Sequence, residues 1–598
     1  MFSTYLNNMI RNKTLLLLVV CVIAFIALFS RMQPRASVSS EFISGQDKEE
    51  MLSYAYSVLD GYFNRPSDNN SEIPKFIDYD HLFITFLNNN SVRCSMGAGV
   101  QPMSPARLKN NIEHATTRCI KDDRFGGVTK EEEIDDTVIV FSFLVNKTPI
   151  SGGLSALTRE IELGVHGVEI VNGGRNAFFK ESVAISKNYD HTKMFERLCR
   201  KAELGEDCIN DPQTIVYRYD TYTFMGDRAG KITDLYRYNT QIAAEDINQE
   251  YLNDRIKLSV GWFKNNVNPQ TGLLEYMYYP SDDRYSTDNN HVRQIATAWS
   301  VAKLRNYFSD RSLDGIVNSS LDHYLQFLKC EREGKRTSYC FAEIDGSAKL
   351  AYNAFLIFLL LESPDYPNSQ MLLAQIARGI VSQQQEDGSY NTYFNSTQNS
   401  GQDYYPGEAV FALMKLYQKT ENKNYLESVQ KAFPYYRNYW RENKNTAFIP
   451  WHSQAYRILY EETKDPEVAD FIFEMNDWIV QNHQTLQSPY GDLIGGMPRG
   501  QERNSTSSYM EGLTSAHVVA QLAGDKNRVR KYGDAIKRGI RFILLTQYTP
   551  ENSFYVPNQD RAVGGFRSSL ANNSQRIDFV QHAVFALLDA LETGVFSN

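Results

Sequence analysis

The sequence predicts a multidomain chain with three structured parts: an N-terminal transmembrane helix, an α+β domain, and an all-α (α/α)6 toroid. Three observations predict it. Residues 14–30 form an uncharged apolar run, strand-like segments gather within residues 48–225, and one loop-to-helix pattern recurs through residues 226–598. A short tail (1–13) precedes the apolar run and a polar linker (31–47) follows it.

The apolar run TLLLLVVCVIAFIALFS spans ~17 residues, just long enough to cross a bilayer. A cleaved signal peptide is the alternative. The run is long for the hydrophobic part of one, and no small-x-small cleavage pattern follows it. Arg11 and Lys13 precede the run and Arg31 and Arg35 follow it. Charge asymmetry is therefore weak, and orientation rests on the short tail. The expectation is a single-pass anchor, with the bulk of the chain in a periplasm or a secretory-pathway lumen.

The cysteines agree with that address. Of seven, Cys21 lies in the run; Cys199/Cys208 and Cys330/Cys340 form close pairs in polar stretches, spaced for short disulfide loops. None has the spacing of a zinc site. With 22% charged and 42% hydrophobic residues the chain is of ordinary folded composition, and a net charge of −9 leaves no basic footprint for nucleic acid. No phosphate-cradling or dinucleotide-binding glycine motif is present, so no organic cofactor is expected.

The α+β part opens with the helix EEMLSYAYSVLDGYF, apolar on one face. HLFITFL, TVIVFSFLV, GVHGVEIV and IVYRYDTYTF then read as strands, with β-branched and aromatic residues alternating or running together. His166, between two glycines, is read first as a hydrogen-bonded strand histidine and second as a ligand or base.

These segments carry a resemblance. Val92-Arg93-Cys94-Ser95-Met96-Gly97, His114-Ala115, Asp122-Asp123-Arg124-Phe125, Val128-Thr129, Glu131–Glu133, Gly164-Val165-His166-Gly167-Val168 and Tyr217-Arg218 stand in an order that resembles the AMMECR domain. The resemblance covers about residues 48–225. It implies a small α+β module with no settled activity, which could dock a protein partner. The family usually reads Leu-Arg-Gly-Cys-Ile-Gly at the first motif; here Ser95 falls on its cysteine and Cys94 on its glycine. That departure puts any chemistry of the family's cysteine out of reach of Ser95 and leaves Cys94 free to bridge to Cys119.

In the all-α part, helix openings rich in Gly, aromatic and polar residues lead into short apolar helices. The openings are Asp288–His291, Asp345–Ser347, Tyr405–Glu408, Trp451–Ser453, Ser508–Gly512 and Ile577-Asp578. They recur roughly every 45–65 residues, somewhat above the usual periods of helical repeats. Helices apolar nearly all round need a second helical layer, so a closed ring with its polar loops at one mouth is expected. First-turn residues and loops then converge on that mouth. The candidate catalytic residues are Glu408, Glu511, His452, Asp578, His582 and Tyr405. The candidate substrate-binding residues are His291, Arg293, Arg499, Arg567, Tyr390 and Trp451. Carboxylates, His, Tyr and Arg on a concave aromatic surface suit polysaccharide chemistry, and clustered Arg suits an acidic sugar.

Gln383–Tyr390 and Tyr404–Glu408 are similar to stretches of the glucuronyl carbon-5 epimerase toroid and, more loosely, of unsaturated glucuronyl hydrolases. The β-rich domain that precedes the toroid in the epimerases is absent. The resemblance implies an enzyme acting on a uronic-acid-bearing polysaccharide, as epimerase, lyase or hydrolase. Hydrolysis would draw on two carboxyls among Glu408, Glu511 and Asp578. Epimerisation or elimination would use His452, His582 or Tyr405 as base, with Arg293 or Arg567 on the carboxylate. The rival reading is a non-catalytic envelope scaffold that binds a glycan or protein at the mouth.

Overall fold

The computed structural model describes residues 42–66, 73, 77–89, 91–98, 107–333 and 336–597. The expected tail and membrane span, and most of the linker, lie outside the described residues. Among the described residues no helix is long and apolar enough to cross a membrane.

The first domain contains α1 (Gly45–Tyr62), β1 (His81–Asn88), β2 (Ser91–Ala98), α2 (Arg107–Ile120), β3 (Val138–Ile150) and α3 (Leu154–Glu160). It continues through β4 (His166–Asn172), β5 (Arg175–Phe179), α4 (Ser182–Ser186), α5 (His191–Lys201), β6 (Ile215–Gly226), β7 (Ile232–Tyr236) and β8 (Asn239–Thr240). The antiparallel sheet runs β2-β1-β3-β6-β4-β5, with β7 on β6 and β8 on β7. It therefore extends past residue 225, to Thr240. Alternation sends Leu82, Ile84 and Phe86 of β1, with Ile139, Phe141 and Phe143 of β3, against Met51, Leu52 and Leu59 of α1 and Ile112 of α2. Cys94–Cys119 ties β2 to α2, and Cys199–Cys208 closes the loop after α5.

The second domain is a closed ring. Its helices are α6 (Gln249–Asn265), α7 (His291–Phe308), α8 (Asp314–Leu325), α9 (Leu350–Leu361), α10 (Ser369–Ser382), α11 (Tyr405–Thr420) and α12 (Lys423–Glu442). They continue as α13 (Phe448–Thr463), α14 (Pro466–His483), α15 (Thr506–Leu522), α16 (Lys526–Thr546), α17 (Gln559–Ala562) and α18 (Ile577–Glu592). Short strands β9 (Met277–Tyr279), β10 (Arg284–Tyr285), β11 (Leu328–Glu333), β12 (Arg336–Ala342) and β13 (Gln575–Arg576) lie in the loops, and Cys330–Cys340 staples β11 to β12. Helices α7, α9, α11, α13, α15 and α18 pack neighbour to neighbour, and α18 returns to α7. Five outer helices rest on the inner helix that precedes them, α8 on α7, α10 on α9, α12 on α11, α14 on α13 and α16 on α15, and the first helix, α6, closes the layer on the last, α18.

The axis of this ring is filled by aromatic side chains. Trp299 of α7 stacks on Phe358 (centroids 4.2 Å apart) and packs on Phe585 (4.3 Å). Trp451 of α13 packs on Phe355 (5.6 Å) and Phe411 (6.5 Å). Beyond this plug, at the far end of the inner helices, Lys303 meets Asp589 at 3.5 Å.

Glycines close the ring at its periphery. Gly388, Gly495 and Gly564 follow outer helices, adopt φ of +92°, +96° and +89°, and lie against backbone carbonyls of Lys431, Arg538 and Leu258 on the next outer helix. A Cβ would be strained by the first property and would overlap the carbonyl by the second.

The two domains meet through the loops at the inner-helix N-terminal end. Leu87, Val140, Ile185, Leu235 and Tyr238 share one apolar cluster with Tyr278, Tyr548, Tyr555, Val556 and Ala562. Beside it Arg237 donates to Asp492 at 2.6 and 3.1 Å and to the Leu163 carbonyl at 2.7 Å, and also pairs with Glu162. The side chains of Arg237 and Asp492 are 2% and 3% exposed. Without Asp492 the buried Arg237 charge keeps only Glu162, so Asp492→Ala is expected to cost about 3 kcal/mol in chemical denaturation, whereas loss of an exposed carboxylate such as Asp282 should cost almost nothing.

Candidate functional site

Five of the residues singled out from sequence come together at the mouth. Asp578 opens α18 and takes Arg293 Nε of α7 at 3.0 Å and Arg576 Nη2 at 2.9 Å. Arg293 also donates to the Tyr276 hydroxyl at 2.6 Å. One helical turn along α18, His582 Nδ1 lies 2.6 Å from Glu511 Oε1 of α15. Its ring packs on Trp451 with centroids 5.9 Å apart. Asp578 and His582 share a face because they are four residues apart, and Phe585 of the plug continues that face.

Charge settles unevenly here. Two guanidinium groups share one carboxylate, so the Arg293–Asp578–Arg576 cluster keeps one net positive charge. Burial opposes a charged His582, but the Glu511 carboxylate, with Asp578 behind it, raises its pKa above the ordinary imidazole value. Glu511 is itself raised by burial, with the His582 charge acting against that. The pair thus holds a proton into the range where a free imidazole would have lost it.

Glu408 and Tyr405 stand on α11, across the ring from α18. Glu408 is buried, its Oε2 has no hydrogen-bond partner among the described residues, and burial pushes its pKa up to about 8. Glu408 lies one turn from Phe411 of the plug. Burial, then the Glu408 charge, raises Tyr405. Tyr509 of α15 bonds Thr446 through its hydroxyl at 2.9 Å. His291 faces away from Arg293, with Nε2 at 2.9 Å from Asp345 and Nδ1 at 3.3 Å from the Tyr324 hydroxyl.

The other four lie elsewhere, each for a definable reason. His452 is fully enclosed between α11, α12 and α13, stacked on Phe448 at 3.5 Å, with Nδ1 on the Phe448 carbonyl and its pKa driven down to about 3 by burial. Tyr390 is buried against α12, its hydroxyl 2.7 Å from Ser428 Oγ. Arg499 caps the C-terminal end of α14, donating to the Gln481 and Gln484 carbonyls at 3.0 and 2.8 Å. Arg567 does the same for α16 through the Leu545 and Thr546 carbonyls. A residue missed in the sequence is Gln454, whose Nε2 lies 3.3 Å from Glu511 Oε2. Its position three residues after Trp451, hence on the same helix face, was the available signal.

His166, in the first domain, is a buried strand histidine: Nδ1 accepts from the Glu162 amide at 2.9 Å and Nε2 lies 3.7 Å from Asp220. A cavity of about 720 Å³ opens at the opposite end of the ring, lined by Arg305, Asp314, Asp322, Glu362 and Tyr366. Its polar groups satisfy one another, Arg305 with Asp314 and the Glu362 carbonyl and Tyr366 with Asp322, so the mouth remains the better candidate. Among the described residues no three His, Cys, Asp or Glu side chains gather closely enough to hold a metal.

The pair at the mouth has a direct test. In Glu511→Gln the charge that does most to raise His582 is gone, leaving burial and the Arg293 charge to outweigh Asp578. The imidazole titration followed by NMR is expected to move from above its ordinary value to below it.

Comparison with known proteins falls into two parts. A protein of Thermococcus gammatolerans is 30% identical over 125 residues, 21% of this chain and 58% of that protein. The chain thus spans little more than half of that relative. A protein of Methanothermobacter thermautotrophicus is 30% identical over 147 residues, 24% of this chain and 75% of that protein. Similar solved structures include a D-mannose isomerase, at 11% identity over 59% of this chain and 100% of that one, TM-score 0.43. Another is an unsaturated glucuronyl hydrolase specific for heparin, at 11% identity over 57% and 98%, TM-score 0.40. The family model AMMECR1 matches residues 52–224, and through that domain the chain belongs to the AMMECR1 family.

Proposed function

We propose that the ring domain is a glycan-active enzyme that moves a proton on a uronic-acid-bearing saccharide, and that residues 14–30 anchor it with its bulk outside the cytoplasm. The observation that carries the reading is the His582–Glu511 contact at 2.6 Å beside the Arg293–Asp578–Arg576 cluster. The net positive charge of that cluster suits the carboxylate of a uronate, and charge built up on carbon during proton removal would be held there. His582, oriented through Nδ1 by Glu511, is the proton-transfer group: the neutral imidazole takes the carbon-bound proton, and the imidazolium so formed is held by the Glu511 carboxylate. Trp451, buried in the aromatic plug, backs the His582 ring from below. Three disulfides agree with an oxidising compartment.

The structural roles of Arg499, Arg567, Tyr390 and His452 thin the expected catalytic set and favour a second reading, a ring that holds a glycan without turning it over. One experiment separates the two. The detergent-solubilised full chain is incubated with uronate-bearing glycans in deuterated water and followed by proton NMR. Deuterium at carbon 5 is expected, with unsaturated ends marking a lyase, and His582→Gln should slow exchange by about 10²–10⁴-fold. New reducing ends without exchange would instead make it a hydrolase. Binding with no change in any glycan would leave the scaffold.

A further inference from the structure

The first domain carries a polar chain unrelated to the toroid mouth. Lys180 is 9% exposed. Its hydrogen-bond partner among the described residues is the Thr85 hydroxyl at 2.7 Å, and none of the ion pairs there includes it. Thr85 Oγ1 lies 3.0 Å from Ser95 Oγ. Thr85 and Ser95 are direct cross-strand partners of β1 and β2, so their side chains stand together on one face of the sheet. Thr85 is closed off at 1% exposure, whereas Ser95 is half-buried on β2, the edge strand. The line Lys180–Thr85–Ser95 therefore leads from the protein interior to an accessible edge.

A buried ammonium without a carboxylate partner is costly, and the cheap escape is to shed its proton. Burial pulls the Lys180 pKa down, with the Glu181 charge opposing. Glu181 accepts from Ser142 at 3.1 Å and Thr223 at 2.9 Å through Oε1, and neither of its oxygens is hydrogen-bonded to Lys180 among the described residues. In the charged form the Lys180 ammonium donates to Thr85; in the neutral form the contact reverses, and the Thr85 hydroxyl donates to the amine lone pair. Ser95 then donates to Thr85, and a neutral base is wired to a half-exposed serine.

We propose that Ser95, Thr85 and Lys180 form a hydroxyl relay that makes Ser95 a nucleophile toward carboxylic esters. Ser95 Oγ bonds to the ester carbonyl carbon as its proton passes to Thr85 and the Thr85 proton passes to the Lys180 amine. The tetrahedral adduct collapses, the ester C–O bond breaks, and the alcohol leaves with the proton returned from Lys180. Water, activated along the same relay, releases the acid and restores Ser95. Among the described residues no further strand lies beyond β2; there Arg124 donates to the Ser95 carbonyl at 3.1 Å, and an ester approaches the half-buried Ser95 hydroxyl past that loop without crossing the sheet.

The test uses an alkyl fluorophosphonate, which labels activated serines, on the full chain in detergent, with the modified peptide identified by mass spectrometry. Labelling at Ser95 is expected in the unaltered protein and absent in Ser95→Ala. Thr85→Val keeps the shape and removes the relay, and is expected to slow labelling about a hundredfold or more. Thr85→Ser keeps the hydroxyl and should keep the label. The proposal is overturned by an unlabelled Ser95, by Thr85→Val labelling at the original rate, or by loss of label in Thr85→Ser. The outcome is independent of any activity at the toroid mouth.

Discussion

The axis of the ring is the constraint on which the second domain depends. Six helices in a circle leave a central space that their backbones cannot fill, and an unfilled apolar space forfeits dispersion along its whole lining. Trp299, Phe355, Phe358, Phe411, Trp451 and Phe585 fill it. The plug occupies the middle turns of the inner helices, so groups that need water or a ligand are left one turn above it or one turn below. Asp578 and His582 stand above, on the face that continues into Phe585; Lys303 and Asp589 stand below. The depth of the mouth is therefore a consequence of packing.

The periphery obeys a different rule. Glycines after α10, α14 and α16 close the spacing between successive outer helices, and the arginines beyond two of them terminate the helix just ended. Carbonyls at a helix C-terminus lack intrahelical partners, and a guanidinium folded back over them satisfies two at once. These loops also carry the contact with the first domain, where Asp492 meets Arg237. Loops that look fit for substrate are thus spent on closing the ring and seating its neighbour.

This division explains what could be read in advance. The ring was legible because short apolar helices of that kind have no stable place except inside another helical layer. Arg293, Glu511, Asp578 and His582 were legible because the first turns of inner helices converge. His452 was misjudged by one residue's rotation: neighbours on a helix point about 100° apart, so only one of Trp451 and His452 can face the axis. Helix α13 also begins at Phe448, earlier than the opening at Trp451 suggested. Arg499, Arg567 and Tyr390 were misjudged because a polar residue beside glycine looks the same whether it turns to the mouth or back onto a helix end. In the first domain the strands were legible from alternation, whereas the approach of Lys180 to Thr85 joins residues 95 positions apart and leaves no local trace.

The return of α18 to α7 has a consequence for biosynthesis. Arg293 is made on the second helix of the ring, and its partner Asp578 on the last. Translation at about 5–20 residues per second separates the two by tens of seconds. Through that interval the growing ring is an open crescent whose aromatic interior lacks Phe585 and whose cationic rim lacks its carboxylate. A ribosome that stops before α18 therefore releases a sticky, half-lined shell, and the mouth comes into being only with the final helix.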